Sequence, residues 1–350
     1  MKVLLITVRS DIGGGPKHVS DLLSHGGNAV DYYIAAPIDQ FFSENFKKLA
    51  REFIGIPFRK FSLLAFIRLL LFLKKNEINI IHSHGRGAGL YSRLLKLFGY
   101  KVIHTFHGVH IGEGVIGKIK LLVDKLLVVM TDNFICVSSG ELDEAIKHKV
   151  TRKKDTIVIP NGVEIFPYAE KVNNDPLVVG TLSRLNHQKG IDILISYIAK
   201  VVKEIDIPFV VKIAGDGEEK LAIESNIKSK NLSKYIDLIG ATSEPQKFLD
   251  EIDIYISFAR FEGMPLSVLE AVSKSLPCIL SDVVGNNDII KDNSIGYLFN
   301  LSDYESFKCE FLNVMKSKSE RDEKSRLAHK YLQDNFSIEN MIKETLKVYK

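Results

Sequence analysis

The sequence contains little cysteine and no long uninterrupted apolar run. Its three cysteines, Cys136, Cys278 and Cys309, are far apart and form no Cys-x-x-Cys pair. This spacing argues against a disulfide framework and against a cysteine-rich zinc site. The longest apolar run, 63–73, is interrupted by Arg68 and is shorter than the roughly 20 residues that span a bilayer. We therefore expect a cytoplasmic protein without a transmembrane segment or signal peptide.

The composition is that of a globular protein, with an uneven distribution of charge. A chain of 350 residues is long for one domain and sufficient for two, and 45% hydrophobic residues exclude wholesale disorder. Residues 1–170 contain 23 Lys and Arg against 16 Asp and Glu, whereas residues 171–350 contain 24 against 27. A basic half suggests an anionic partner such as a phosphate, an acidic lipid surface or nucleic acid, although scattered surface lysines would give the same excess.

Short apolar runs alternate with amphipathic stretches along the whole chain, which is typical of β-α-β units and parallel sheets. The predicted strands are 2–8, 29–37, 78–84, 101–108, 133–139 and 156–162, followed by 177–184, 209–217, 235–240, 253–259 and 277–285. A polar, turn-forming stretch at 173–176 separates the two sets. The pattern predicts an α/β protein with two doubly wound parallel-sheet domains, and a ligand cleft at the carboxyl ends of the strands.

Glycines follow the first predicted strand, in the sequence Gly13-Gly14-Gly15-Pro16. They allow a ligand to approach the backbone closely, and the N-terminus of the helix that follows favours an anion. The run is neither a G-x-G-x-x-G fingerprint nor a phosphate-binding P-loop, so a plain tight turn explains it equally well.

Histidines cluster at the ends of two predicted strands. His107 or His110 could donate a hydrogen bond to a sugar or phosphate, whereas His82 and His84 are interpreted as structural or peripheral. No H-E-x-x-H motif or carboxylate-flanked set accompanies these histidines, and we predict no metal site.

Two segments of the second half carry charged residues next to predicted strand ends. Arg184 ends a strand, and Lys189 follows it near the start of a helix, so that two cations could neutralise a diphosphate. The segment 261–271 reads FEGMPLSVLEA and contains Glu262 and Glu270 around a predicted helix start. There, backbone N–H groups could hold a phosphate while carboxylates accept sugar hydroxyls. Taken alone, both segments also fit solvated surface charges.

These motifs, read in order, resemble one family. The segments TLSRLNHQKG, AGDGEE, FEGMPLSVLEA and LPCILSDVVG are similar to the second domain of glycosyltransferase family 4, the retaining GT-B enzymes. VIPNGVE resembles the interdomain passage of that family, GGGPKHV its N-terminal glycine loop and HTFHG its first-domain histidine strand. The resemblance covers essentially the whole chain, and the EGMPLSVLEA segment is its specific part.

The resemblance implies catalytic roles for four residues, which are Arg184, Lys189, Glu262 and His107. The two cations would hold the donor diphosphate and stabilise it as a leaving group. Glu262 would accept a hydroxyl of the donor sugar, and His107 would line the sugar site from the first domain.

Further donor-binding residues are implied in the same way. Glu270 would accept the ribose hydroxyls, and Gly14 and Gly15 would approach the phosphates or the acceptor. The remaining donor-binding positions are Gly263, Met264 and Leu266. Many family members have a second glycine where this chain has Pro265, which offers no N–H, so the amides of Met264 and Leu266 would serve the phosphate.

The family also implies domain boundaries and substrates. The first domain would comprise 1–165 together with a C-terminal helix at 336–350, and the second domain 170–335. The donor would be a nucleotide sugar, most often UDP-linked, and no cofactor is implied. No Asp-x-Asp motif occurs in the sequence, so the side-chain cations would replace a metal. The implied setting is cell-envelope polysaccharide assembly on a polyprenyl-diphosphate-linked acceptor, with no nucleic-acid partner.

Segments 58–75 and 118–130 interleave apolar residues with lysine and arginine. This pattern is typical of interfacial helices, and it predicts reversible docking of the first domain on the anionic inner face of a membrane. Packing of both segments on the sheet is the alternative interpretation.

Other functions remain open from the sequence. A sugar-nucleotide epimerase shares the two-domain architecture, and a transferase could also use a soluble acceptor. A non-catalytic binding module should have lost Arg184, Lys189 or Glu262, yet all three are present. A nicotinamide-dependent dehydrogenase is disfavoured by the missing G-x-G-x-x-G motif.

Overall fold

Residues 1–109 and 114–350 are described by a computed structural model, apart from the side chain of Asn28. Contacts divide them into two units. The first unit comprises Met1–Gly162 and Ile338–Lys350, and the second comprises Val163–Ser337.

The first unit is built around a parallel sheet. In the described residues its strands are β1 Lys2–Thr7, β2 Asp31–Ala36, β3 Phe53–Gly55, β4 Ile80–His84, β5 Lys101–Thr105, β6 Asn133–Cys136 and β7 Thr156–Val158. Their order across the sheet is β3-β2-β1-β4-β5-β6-β7. The helices between them are α1 Gly14–His25, α2 Ser43–Leu49, α3 Leu63–Lys75, α4 Arg86–Leu95, α5 Gly114–Leu127 and α6 Ser139–Lys147.

Both faces of this first sheet are covered by helices. Successive side chains of a strand point to opposite faces, so Val3 and Leu5 pack with α1, while Leu4 and Ile6 pack with α3 and α4. Burial on both faces explains why β1 reads as a continuous apolar run rather than an alternating one.

The second unit repeats the architecture. Its described strands are β8 Leu177–Leu182, β9 Phe209–Ala214, β10 Ile236–Gly240, β11 Ile254–Ser257, β12 Cys278–Ser281 and β13 Tyr297–Phe299, in the order β10-β9-β8-β11-β12-β13. All of these pairings are parallel. Its helices are α7 Ile191–Val201, α8 Lys220–Ser229, α9 Pro245–Asp250, α10 Leu266–Ser273, α11 Asn286–Ile289, α12 Tyr304–Lys316 and α13 Lys318–Asn335.

The last helix, α14 (Ile338–Tyr349), belongs to the first unit. Met341 and Ile342 join the core formed by β1, β2 and α1. The Tyr349 hydroxyl lies 2.8 Å from Nδ1 of His82 on β4. The chain therefore leaves the first unit after β7 and returns to complete it with α14.

The predicted α/β architecture with two doubly wound parallel sheets is confirmed. Two strands were missed, β3 and β13, which lie at sheet edges and have only three residues each. A run this short shows no periodicity that distinguishes it from a loop. Among the described helices, none combines the length and the apolar composition needed to cross a bilayer.

Candidate functional site

Two loops of the second unit bring predicted site residues together. One loop follows β8 and carries Lys189, and the other follows the neighbouring strand β11 and carries Glu262. The Lys189 Nζ atom lies 2.6 Å from Oε1 of Glu262, and the two side chains are only 16% and 8% exposed. The structure thus joins two predicted catalytic residues in one shielded ion pair, which their separation in sequence does not reveal.

Neighbouring side chains hold these two loops against each other. The side-chain Nε2 of Gln188 donates a hydrogen bond to the carbonyl oxygen of Phe261 at 3.0 Å. The backbone N–H of Arg260 donates one to the carbonyl oxygen of Gln188 at 2.8 Å. The Arg260 guanidinium also reaches Asp192 at 2.7 Å. Burial raises the pKa of that carboxyl, but the bonds from Arg260 outweigh this effect and leave the pKa below its usual value. Sequence reasoning missed Gln188, Arg260 and Asp192, since their roles depend on how the loops meet.

Two glycines permit the close approach of these loops. Gly190 has φ of 63°, and a Cβ atom there would lie 2.0 Å from the carbonyl oxygen of Phe258. Gly285 has φ of 89°, and a Cβ atom there would lie 2.8 Å from the Gly263 carbonyl oxygen and 2.9 Å from Cβ of Glu262. Because a side chain at either position would clash, both glycines help to place Lys189 and Glu262.

Helix α10 begins at Leu266, immediately after a proline. Pro265 is the N-cap, with φ of −73° and ψ of 114°, and Leu266 is the first helical residue. The N–H groups of Val268 and Leu269 donate to the Pro265 carbonyl oxygen at 3.2 and 3.3 Å. The amides of Leu266 and Ser267 therefore lie in the sequence before the first of these hydrogen bonds. They belong to the N-terminal end of α10, which is the end of a helix that favours an anion.

The remaining predicted donor-binding residues lie on the same two segments. Arg184 is half-buried and shares the loop of Lys189, two residues beyond β8. Glu270 is the half-buried fifth residue of α10, while Gly263 and Met264 are buried immediately before its N-cap.

The predicted glycines of the first unit lie in the first turn of α1. Gly14 is the first helical residue, and Gly13 is its N-cap. A Cβ atom on Gly15 would lie 3.8 Å from the ring of His107, so the glycine turn and the histidine are neighbours. His107 itself is half-buried, whereas His110 lies outside the described residues.

Three histidines of the first unit form one group. His18 of α1, His84 at the end of β4 and His107 after β5 each offer a ring nitrogen, and these atoms lie within 4.8 Å of one another. Burial lowers the pKa of His18 to about 4. Burial, followed by the charges of neighbouring histidines, also lowers the pKa values of His84 and His107 well below the ordinary value. The rings are therefore neutral near pH 7.

Two further histidines of the same sheet have structural environments. Both ring nitrogens of His82 are paired, one with Tyr349 at 2.8 Å and one with Thr105 at 2.7 Å. His104 contacts the Ser83 hydroxyl at 2.9 Å and packs edge-on against Phe106.

Comparison with known proteins decides the family. Residues 12–165 match the family model described as Glycosyltransferase Family 4, and residues 162–331 match the one described as Glycosyl transferases group 1. The Escherichia coli UDP-Gal:alpha-D-GlcNAc-diphosphoundecaprenol alpha-1,3-galactosyltransferase is 31% identical over 261 residues, which cover 69% of this chain and 67% of that protein. The chain belongs to glycosyltransferase family 4.

Further relatives of this glycosyltransferase agree. The O-antigen biosynthesis glycosyltransferase WbnH of Escherichia coli is 27% identical over 320 residues, covering 87% of this chain and 91% of that protein. The solved structure of Anabaena Alr3699/HepE, in complex with UDP and glucose, superposes with a TM-score of 0.86 and 15% identity over 100% of this chain and 99% of that chain. This likeness confirms the predicted GT-B fold of the enzyme.

Proposed function

We propose that this glycosyltransferase moves a hexose or N-acetylhexosamine from a UDP-sugar to a hydroxyl of a polyprenyl-diphosphate-linked glycan, with retention at the anomeric carbon. The observation that carries the proposal is the Lys189–Glu262 ion pair beside the N-terminus of α10. It places a shielded cation and a carboxylate at a helix end suited to phosphate. The E. coli relative named for a UDP-Gal donor and a diphosphoundecaprenol acceptor supports the choice of substrates, and the relative WbnH, named for O-antigen biosynthesis, supports a role in O-antigen assembly.

The leaving diphosphate is the group that the second unit would stabilise. As the sugar–oxygen bond breaks, negative charge grows on the diphosphate, and Arg184 and Lys189 would balance it. The amides of Gly263, Met264 and Leu266 would donate to phosphate oxygens. Fixed charges aimed at a developing charge lower the barrier because they need no reorganisation during the reaction.

The two glutamates would bind different parts of the donor. Glu262 is buried and held by Lys189, so it would orient a hydroxyl of the transferred sugar next to the reacting bond. Glu270 lies further along α10, and it would accept the ribose hydroxyls. From the first unit, His107 would line the sugar site, and Gly14 and Gly15 would approach the phosphates or the acceptor. In a front-face path the leaving phosphate assists the incoming hydroxyl by accepting its proton.

Transfer should not require a divalent metal, because side-chain cations supply the charge that a metal supplies elsewhere. Activity is therefore expected to be unchanged in excess EDTA, measured as UDP released per unit time. Complete loss of activity with EDTA, restored by Mg²⁺ or Mn²⁺, would contradict this assignment.

Helix α5 turns an apolar face to solvent. On its inner side the buried Asp124 accepts a bond from Arg86 Nε at 2.7 Å and lies 3.5 Å from Arg93 Nη1, which fixes the rotation of the helix. On its outer side the apolar residues are at least 40% exposed, and they are Val115, Ile116, Ile119, Leu122, Val123 and Leu126. Lysines at 118, 120 and 125 are exposed on the same helix.

Helix α3 adds a second exposed apolar surface on the same face of the sheet. Ala65, Phe66, Leu69, Phe72 and Leu73 pack inward. Leu63, Leu64 and Leu71 are each at least 60% exposed. The rings of Phe66 and Phe98 lie 6.1 Å apart, which brings α3 close to the exposed Leu97 and Phe98.

Exposed apolar residues interleaved with lysine suit the interface of an anionic membrane. We therefore extend the proposal: α5 and α3 dock the first unit on the membrane that holds the lipid-linked acceptor. Charge complementarity favours an anionic lipid surface over a protein partner, because the lysines lie among the apolar residues rather than around them.

The function is tested with a panel of nucleotide sugars and two acceptors, a polyprenyl-diphosphate-linked sugar and the corresponding free sugar. We expect UDP release together with a product whose mass has grown by one hexose or N-acetylhexosamine on the lipid-linked acceptor. The anomeric configuration of the product, read by NMR, should match that of the donor. Transfer only to the free sugar would refute the lipid-linked acceptor, and conversion of the UDP-sugar without acceptor would instead indicate an epimerase.

A further inference from the structure

The three-histidine group defined above, His18, His84 and His107, draws its members from separate elements of the first unit. His18 is 3% exposed and His84 is 4% exposed. No carboxylate belongs to the group as it is formed by the described residues, so its potential ligands are imidazole nitrogens alone. Imidazole is a ligand that suits zinc, copper, iron and nickel ions, and is less suited to magnesium or calcium.

The distances between the ring nitrogens are close to those between the ligands of a tetrahedral metal ion. A zinc ion bound at 2.0–2.1 Å by two nitrogens holds them about 3.4 Å apart. His84 Nδ1 and His107 Nε2 are 3.3 Å apart, which is long for an N–H···N hydrogen bond. The whole set spans at most 4.8 Å, so small side-chain rotations would bring all three nitrogens onto one ion.

One ring nitrogen of His18 has a side-chain oxygen as its neighbour, and such an outer-shell contact can orient a metal-binding histidine. Its Nδ1 lies 3.0 Å from Oδ1 of Asn161, and an N–H donated there leaves Nε2 with its lone pair. Such a bond orients the ring and selects the tautomer.

The nearest basic side chains are compensated by acids. Arg9 binds both carboxylate oxygens of Asp11 at 2.8 Å, and Lys17 is paired with Asp21. These pairs reduce the repulsion that a bound cation would meet from Arg9 and Lys17.

We propose that His18, His84 and His107 form a binding site for a divalent transition-metal ion of the zinc type, with the fourth coordination position open. Since the proposed function assigns His107 to the donor sugar, an ion bound there would compete with the sugar and inhibit transfer. The ion would then regulate the enzyme, and EDTA would not remove activity.

Binding is measured on the untagged full-length protein by titration with Co²⁺ alone, monitored by its visible d–d absorption, followed by displacement with Zn²⁺. We expect one tight equivalent with the absorption of a four- or five-coordinate ion. His84→Ala and His107→Ala should raise the Kd at least about tenfold, and Asn161→Ala should raise it roughly tenfold through the orientation of His18. His148→Ala, which removes a histidine paired with Glu144 outside the group, is the matched control.

Equal Co²⁺ affinity in wild type, His84→Ala and His148→Ala, or no absorption change at all, would overturn the proposal. Thermal melting checks that each variant is folded, and His18→Gln replaces His84→Ala if the latter does not fold. Zn²⁺ should inhibit the wild type and not the folded His18→Gln variant. If Co²⁺ binds the group but Zn²⁺ leaves transfer unchanged, the metal site stands, and the placement of His107 at the donor sugar is refuted instead.

Discussion

The Lys189 ammonium and the Glu262 carboxylate stabilise each other in a place that water reaches poorly. Removing one partner of such a pair leaves the other charge shielded and unpaired, which is more costly than losing an exposed ion pair. Lys189→Ala should therefore reduce stability as well as activity.

Substitution of either cation tests the diphosphate assignment. Arg184→Ala and Lys189→Ala should each lower kcat by roughly 10²–10³, because in the proposed function each variant lacks one fixed charge that faces the leaving group. Steady-state kinetics with the donor sugar measure the effect. Lys274→Ala is a matched control, since Lys274 is 15% exposed and ion-paired with Asp250 in the same unit. If the Arg184 and Lys189 variants both keep the kcat of the wild type, the assignment of these residues to the donor diphosphate is wrong.

The two glutamates should be separable by their kinetic signatures. Glu270→Gln is expected to weaken UDP binding with little further effect on kcat, because ribose contacts are the same in the ground and transition states. Glu262→Gln should mainly lower kcat, since in the proposed function Glu262 orients the reacting sugar, and the variant also loses the charge that pairs with Lys189. Calorimetric titration of UDP, combined with kinetics, distinguishes the two, and equal weakening of UDP binding in both variants would argue against separate roles.

At the scale of elements, the exposed face of α5 makes a quantitative prediction. The wild type should sediment with anionic vesicles but not with neutral ones, and binding should weaken as salt rises. A triple variant with Lys118→Glu, Lys120→Glu and Lys125→Glu should be repelled by anionic vesicles. The free energy of vesicle binding should become less favourable by about 1 kcal/mol or more for each lysine that lies near the membrane surface. The same charge change at Lys149, Lys153 and Lys154, which are exposed around α6, should have little effect. Equal binding to neutral and anionic vesicles would refute an electrostatic docking surface.

The strands of both sheets could be predicted from the sequence, whereas the orientation of some helices could not. Buried parallel strands such as β1 and β8 were predictable, since both of their faces must be apolar. The orientation of α5 was not predictable, because its apolar residues alone do not indicate which face of the helix packs on the sheet. The decisive contacts are those of Asp124 with Arg86 and Arg93, which are distant in sequence. At the candidate site the residue types at Lys189 and Glu262 were predictable from the family resemblance, whereas their pairing depends on how two loops meet.

At the scale of the whole molecule, buried histidines should make stability depend on pH. The folded protein lowers the pKa of His18 to about 4 and of His82 to about 3, in both cases chiefly by burial. An unfolded histidine titrates near 6.5, so below that pH the unfolded chain binds more protons, and the stability present above pH 6.5 is lost as pH falls towards 4 and 3. Each such histidine contributes about 1.4 kcal/mol per pH unit in this window.

Urea unfolding at a series of pH values between 5 and 7.5 measures this dependence. The urea concentration at the midpoint of unfolding should decrease as pH falls below about 6.5. His18→Asn should reduce the slope of the free energy of unfolding against pH by the equivalent of about one proton. His187→Asn, which removes an exposed histidine of the second unit, is the control substitution. A wild-type slope of zero between pH 5 and 6.5 would contradict the burial of these rings as neutral groups.

The return of α14 to the first unit affects the order in which the protein can mature. Translation delivers β1 to β7 first, but the surface that Met341, Ile342 and Tyr349 cover is completed only when α14 emerges from the ribosome. At roughly 5–20 residues per second, the stretch from β7 to Tyr349 takes about 10–40 s to synthesise. During that interval the nascent sheet presents an uncovered apolar groove beside β2 and α1. We expect ribosome-associated chaperones to bind this groove, and stalled chains that end before α14 to keep them bound.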